Sequence, residues 1–371
     1  MNLDRDLGSI DEYLAAFFED AQLDSQGTFS VDVSRRLTKL SKFQLEQPEK
    51  FILPLFSAAV LAGATRFDLS RSFAGYQVVL DRPWCTAGEL DEVARAVQDG
   101  GVDQGEPRLR HLGVALQMMK SLLFTRISLE LEEDVLEIEA GRVRRRRRQR
   151  GGEPGLRAQS SLLASLFQSR QTRIYNAIGS WLERRCGWSD MAWTRSGVAG
   201  NRPLSWMEAP VAVLNINQGA PGHSPPGGQL VGQLRVDGLP GVRGVALLGE
   251  QPSPGSWLIS GGLSYPLALK LDADPWHYQV LLWCDDIAPD LNYEALLETQ
   301  LQPLREHIPL WLGALALAPL AKHLHEKGRG SAELSGSGWV AVAISPAPDA
   351  LAASAAAEVE LVGVQPGKAA V

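Results

Sequence analysis

The chain has 371 residues, 45 % of them hydrophobic and 21 % charged, with a formal net charge of −7. That length accommodates two or three domains, each with its own core. The acidic balance argues against a protein that wraps nucleic acid over its whole surface, although it leaves local basic patches open. Cys85, Cys186 and Cys284 are far apart and in no CxxC spacing, so they read as free thiols of a reducing compartment with no metal or redox role.

The N-terminal MNLDRDLGSIDEYLAAFFED is acidic where a secretory signal would be basic. The most apolar segment, Ile308 to Ala321, has 14 residues and carries Pro309 and Pro319 near its ends. It is shorter than the roughly 18 to 20 residues needed to cross a bilayer, so the expectation is a buried helix in a soluble, cytoplasmic protein. His323 and His325 stand two apart, on different helix faces, and make a poor metal pair.

In chain order, residues 9–20 predict a short amphipathic helix, with Ile10, Tyr13, Leu14, Phe17 and Phe18 on one side. A polar break at Gly27 precedes a second helix from Asp32, with a Val33, Leu37, Leu40 and Phe43 stripe. The third helix is the apolar run after Pro48, ending at Gly63; Pro54 inside it should kink or restart it. Strands are predicted over Thr65–Ser70 and Gly75–Asp81. Thr86 and Glu89 form a capping box for a helix to about Gln98. Glycine-rich DGGVDQGEP follows, then a long helix from Arg108 to Leu123 with Leu109, Leu112, Leu116, Met119 and Leu123 as its buried stripe. RISLELEEDVLEIEAG alternates on both sides of Glu133-Asp134 and predicts a hairpin. This order suits helices on one face of a mixed sheet.

Arg142 to Arg150, RVRRRRRQR, holds seven arginines in nine residues. The run reads as a solvated strand edge or loop whose charge blocks edge pairing. A nucleic-acid surface through Arg144–Arg148 is the less favoured reading, because no aromatic residues interleave for base stacking. Gly151–Gly155 marks a turn or linker.

A second region is expected from Leu156. It should open with a helix over Ser161–Arg185, then strands and turns to Leu204 and a flexible loop over Asn215–Gln229. Strands are predicted at Leu230–Val236, Val242–Leu248, Trp257–Ile259, Pro266–Leu271 and Tyr278–Cys284. Helix over Asn292–Ala321, interrupted at Pro303 and Pro309, and an Ala/Gly-rich tail with two strands complete the chain. The acidic cluster Asp285, Asp286 and Asp290 reads as capping rather than a cation site. The tryptophans of this half, Trp193, Trp206, Trp257, Trp276 and Trp283, read by default as core filling and more sharply as an interface. No G-x-S-x-G, H-E-x-x-H, Walker A or G-x-G-x-x-G motif occurs at a suitable place.

The abrupt helix–Gly–strand join AGATRFDL, Ala62 to Leu69, resembles that of the GHKL (Bergerat-fold) ATPases, the superfamily of MutL, gyrase, histidine kinases and heat-shock chaperones. In that family the preceding helix carries a Glu that activates water and, four residues later, an Asn that holds Mg²⁺. Here Pro54 and Ala58 stand at those two positions, and Leu61 replaces the usual acidic residue before the join. None has an oxygen side chain to act as base or bind a hard cation.

A second motif, LDRPWCTAGE (Leu80–Glu89), places Asp81 where the family's Asp accepts a hydrogen bond from the adenine amino group. Arg82, Pro83, Trp84 and Cys85 replace the Asn-Gly-x-Gly that lets backbone approach the base. Trp84 is expected to fill the adenine space. The third motif, GEPRLRHLGVAL (Gly105–Leu116), resembles the phosphate loop through Gly113, with Arg108, Arg110 and His111 adding positive charge.

The resemblance implies an α+β fold: a Bergerat-type α/β sandwich, then a β-rich, transducer-like second domain entered near Leu182–Leu204. The corresponding division is residues 1–28 as an N-terminal helix and arm, 29–150 as ATPase-like domain, 151–300 as the second domain and 301–371 as C-terminal helix and tail. The implied function is a catalytically degenerate, pseudoenzyme-like interaction or scaffold module in a bacterial multi-protein system, binding other proteins, with no cofactor and no catalytic residues. The alternative is a weak adenine-nucleotide sensor that takes ATP or ADP with Mg²⁺ through Asp81, Thr86, Arg110 and Gly113, with little or no hydrolysis.

Overall fold

The computed structural model describes residues 21–23 and 29–31 and, with short interruptions, residues 47–315. The helices expected over 9–20 and from Asp32, the glycine-rich 100–105 and the two C-terminal strands lie outside the described residues. Two compact units emerge, one formed by residues 1–64 and 68–178 and the other by 65–67 and 179–371.

In the first unit, β1 (Ala21–Leu23) and β2 (Phe29–Val31) form a small antiparallel pair. A 3-10 turn, Pro48–Phe51, runs into helix α1, Ile52–Leu61. Pro54 falls in the first turn of α1, where its missing N–H breaks no completed ladder, so the helix restarts ahead of it. α1 ends in a Schellman motif: Ala64 N–H donates to Ala59 C=O at 3.1 Å and Gly63 N–H to Val60 C=O at 2.9 Å. Gly63 has φ +74°, a left-handed conformation that a side chain would strain. Strand β3, Arg66–Ser72, starts three residues later, and the helix–Gly–strand join stands as the sequence predicts.

Next come β4 (Gly75–Leu80), α2 (Leu90–Asp99), α3 (Pro107–Ser121), β5 (Phe124–Glu130), β6 (Asp134–Glu139), β7 (Arg142–Arg147) and β8 (Gly155–Ser160). The sheet runs β3-β4-β8-β5-β6-β7, and β4–β8, β8–β5, β5–β6 and β6–β7 are antiparallel. Because β8 lies between β4 and β5, the first unit extends past residue 150, where the sequence reading ended it. A Cβ on Gly75 would stand 1.8 Å from the Ala158 carbonyl oxygen, so only glycine permits this strand contact.

The registers sort the sheet into two faces. On one lie Tyr76, Val78, Leu80, Ile127, Leu129, Leu136, Ile138, Leu156 and Ala158, all buried. Phe51 meets Phe124 edge-on at 6.5 Å, and Phe124 meets Tyr76 at 5.7 Å, which brings the 3-10 turn over this apolar face. Arg145 reaches Asp91 of α2 from the same face. The other face carries Gln77, Arg157, Arg126, Glu130, Glu137, Glu139 and alternate residues of β7. Burying the apolar face beneath amphipathic helices is the dominant stabilising term of this unit.

Helix α4, Gln168–Arg185, leads into the second unit. That unit contains the hairpin β9 (Ala192–Arg195) and β10 (Val198–Ala199), with Ala192 N–H donating to Thr65 C=O at 3.0 Å. Its six-stranded sheet, ordered β12-β11-β13-β16-β14-β15, uses β11 (Ala212–Ile216), β12 (Gln229–Leu234), β13 (Arg243–Gly249), β14 (Trp257–Ser260), β15 (Leu263–Pro266) and β16 (His277–Trp283). β11–β12 and β14–β16 are parallel and the remaining pairs antiparallel.

Two predictions shift here. β11 begins ahead of the expected loop, because Ala212–Leu214 is an apolar run buried on both sides. A strand over Leu263–Pro266 precedes the one expected from Pro266, pairing Trp257 opposite Pro266 at a sheet edge, where proline is tolerated, and residues 268–271 of the expected strand lie outside the described residues. Residues 300–309 are helical, and Pro303 sits in the first turn without interrupting them. The overall class is α+β: a sheet flanked by helices, then a β-rich unit with its own sheet. No helix among the described residues is long and apolar enough to cross a membrane.

Candidate functional site

The three motif regions converge on α1 through the turn that follows β4. Asp81 and Arg82 are exposed at the end of that strand, and Trp84 two residues later is fully buried. Its indole Nε1–H donates to the Leu55 carbonyl of α1 at 3.0 Å. A Cβ on Gly63 would meet the Arg82 guanidinium at 3.4 Å, so Arg82 lies beside the C-terminal end of the same helix. A cation there complements the partial negative charge of the helix end. Pro54 and Ala58 are themselves buried in α1. Trp84 therefore occupies a dry, hydrogen-bonded place against the helix that bears the two substituted positions.

Behind Trp84 the turn is pinned to both later helices. Thr86 N–H and Oγ1–H donate to Glu89 Oε2 at 2.7 and 2.9 Å, the side-chain half of the expected capping box. Arg108, at the start of α3, donates to Glu89 Oε1 at 2.8 Å, to Glu106 Oε2 at 2.7 Å and to the Trp84 carbonyl at 3.0 Å. Only 13 % of its side chain is exposed. Burial pushes the Glu89 carboxyl upward, but the Thr86 bonds and the Arg108 charge outweigh it and hold Glu89 below its ordinary range. The hydrogen bond to Glu106, opposed by burial and helped by Glu89, raises Arg108 above its usual value. Two carboxylates and a carbonyl thus neutralise and orient this arginine, leaving little of it for a phosphate.

The remaining candidates divide in the same way. Gly113 is buried in mid-α3, so its N–H belongs to the helix rather than to a loop cradling an anion. His111 is buried as well, and burial, with Arg110 second, lowers its pKa to about 4, which makes it neutral near pH 7. Arg110 is half-buried and Thr86 is exposed but occupied by Glu89. The Cys85 thiol beside Trp84 is pushed up to about 12 by burial and then by Glu89, and stays protonated. All three cysteines are buried free thiols. The structure thus brings Trp84, Thr86, Glu89 and Arg108 together, whereas Gly113 stands elsewhere on α3.

Sequence reasoning missed the Arg108 network. Its signals were present in Glu106-x-Arg108 and in Glu89, assigned only to a cap, but their meeting depends on how α2 and α3 pack.

In the second unit the described tryptophans Trp188, Trp193 and Trp283 are buried, and Trp276 lies outside the described residues. Trp188, Val245, Ile259, Leu281 and Trp283 form a buried cluster, with Trp206 and Trp257 partly buried against it. Trp188 meets Trp206 edge-on at 4.7 Å and Trp283 at 6.3 Å. Asp285 accepts from Gly261 N–H at 2.9 Å and Asp290 from Glu294 N–H at 2.8 Å, which is turn capping. Among the described residues no group of His, Cys, Asp and Glu could hold a metal ion.

No protein-family model matches the chain, and no curated protein matches it. Among solved structures, the chain is similar to the B subunit of DNA gyrase from Myxococcus xanthus, at 13 % identity and a TM-score of 0.37, with 73 % of this chain and 93 % of that chain covered. From so distant a likeness nothing follows for the chemistry.

Proposed function

We propose that this protein is a catalytically degenerate GHKL-type module, an ATPase-like architecture without ATP turnover that serves protein interaction or scaffolding in a bacterial assembly. The observation that carries the reading is Trp84. A fully buried indole bonded to the Leu55 carbonyl fills the side of α1 where the resemblance would seat an adenine ring. Pro54 and Ala58 supply neither a general base nor a magnesium ligand, and loss of a general base alone costs about 10² to 10⁴ in rate. Arg108 is already neutralised by Glu89 and Glu106.

Isothermal titration with ATP and Mg²⁺ tests the reading. It predicts no binding heat and no phosphate release above the blank; micromolar, Mg²⁺-dependent binding overturns it. The exposed carboxylate of Asp81 at the end of β4 favours a second reading, a weak nucleotide sensor. Asp81→Asn separates the two: it abolishes nucleotide binding in a sensor and leaves an interaction module unaltered in the same titration.

A further inference from the structure

The arginine run, which the nucleotide question leaves aside, forms the outer strand of the first unit's sheet. β7 pairs with β6 on one side, with Asp134 opposite Arg147, Val135 opposite Arg146, Leu136 opposite Arg145, Glu137 opposite Arg144, Ile138 opposite Val143 and Glu139 opposite Arg142. On its other side β7 ends the sheet among the described residues. The Arg148 N–H donates to the Glu133 carbonyl at 2.6 Å. In an antiparallel ladder this fixes the alternation. Arg142, Arg144 and Arg146 turn their backbone groups toward β6, and Val143, Arg145 and Arg147 turn theirs outward.

The arginine side chains are not equivalent. Arg145 pairs with Asp134 through Nε at 3.1 Å and with Asp91 at 3.5 Å, and Arg146 with Glu137 at 2.6 Å. Arg148 is held by Glu130 at 2.7 Å and by the carbonyls of Leu131 and Gly152 at 3.0 Å. Among the described residues Arg142, Arg144 and Arg147 have no carboxylate within ion-pair distance, and all three are exposed.

We propose that the outer edge of β7, where the sheet ends among the described residues, is a docking site for an extended acidic segment of another protein, which adds as an antiparallel strand. Main-chain bonds to Val143, Arg145 and Arg147 supply the attachment. Carboxylates directly opposite Arg142, Arg144 and Arg147, at the close cross-strand spacing of a sheet, supply the selection. Val143 asks for an apolar neighbour. The pattern required, acid-x-x-acid-apolar-acid, is the one β6 already presents to the inner side of the same strand as Asp-Val-Leu-Glu-Ile-Glu. A second copy of β7 is a poor occupant because it would set arginine against arginine. A neutral strand offers no carboxylate to the three exposed guanidinium groups. The arginines thus filter the edge rather than close it.

The test is fluorescence anisotropy of the full chain with a labelled ten-residue peptide containing Asp-Val-Leu-Glu-Ile-Glu, beside a single-stranded oligonucleotide of similar charge. The peptide should bind, and a peptide with Gln and Asn replacing the acids should bind at least about tenfold more weakly. The triple variant R142Q/R144Q/R147Q should weaken the acidic peptide by a similar factor.

Val143→Pro removes an outward N–H and none of the β6 ladder. It should weaken peptide binding about tenfold, while the thermal midpoint stays within a few degrees of the parent. No peptide binding to the folded parent chain overturns the proposal, as does full affinity in a folded Val143→Pro. An oligonucleotide that binds more tightly than the peptide and ignores Val143→Pro overturns it too, making the edge a phosphate surface.

Discussion

Arginine plays opposite parts in two regions of the first unit. At the head of α3, Arg108 is 13 % exposed, shared by two carboxylates and bonded to the Trp84 carbonyl. Along β7, Arg142, Arg144 and Arg147 stand in solvent at the end of a sheet. The first, read in the sequence as positive charge for a phosphate, is spent on pinning the turn after β4. The others lie where the sequence suggests a charged edge, and among the described residues no carboxylate stands within ion-pair distance of them. A cation serves a ligand only if the fold has not already paired it, and burial decides that more than sequence position does.

The comparison breaks most easily at Trp84. Trp84→Ala should cost about 3–5 kcal/mol, measured by chemical denaturation, because it leaves a cavity and an α1 carbonyl without its indole partner. If instead stability is unchanged, the Trp84 indole does not hold the turn after β4 against α1. A smaller effect belongs to His111. Its folded pKa of about 4 lies below the ordinary 6.5. Between those values the unfolded chain binds more protons than the folded one, so stability rises with pH across that window and is lost as pH falls.

The loss should be on the order of 3 kcal/mol by pH 4, and His111→Gln should flatten that slope in urea titrations at several pH values. Glu89→Gln comes next. Loss of the charged cap and of the Arg108 pair should cost about 1–2 kcal/mol near neutral pH. Glu89 is held below its usual carboxylate value, so its contribution is present above that value and fades as pH falls through the folded one. The variant and parent should therefore converge in acid. Smallest of all, Arg144→Ala on the outer edge should shift stability by less than about 0.5 kcal/mol, since an exposed arginine with no ion pair among the described residues holds little in place.

Much of the first unit was legible because its signals are local. Gly63 at a left-handed helix end, the Thr86–Glu89 cap and the alternating strands around Glu133-Asp134 each need only a few neighbouring residues. The second unit was less so. Ala212–Ile216 is a short run, apolar but for Asn215, with no alternation, and the strand after Ser260, Leu263–Pro266, lies ahead of the expected one, most of which is outside the described residues.

At the candidate site, the sequence identified the odd residues Pro54, Ala58 and Trp84. It did not reveal that the Trp84 indole reaches the Leu55 carbonyl or that Arg108 closes over the turn. Those bonds join residues 29 and 24 positions apart, and only helix packing brings them together. Gly113 illustrates the reverse: it matches a motif position, yet the helix around it removes its N–H from use.

The most direct test of the central claim is an experimental structure of the protein determined with a non-hydrolysable ATP analogue and Mg²⁺. The account predicts no nucleotide density beside Asp81 and an unmoved Trp84 indole on the Leu55 carbonyl. An adenine ring seated against Asp81, with Trp84 swung out of its place on α1, would contradict it.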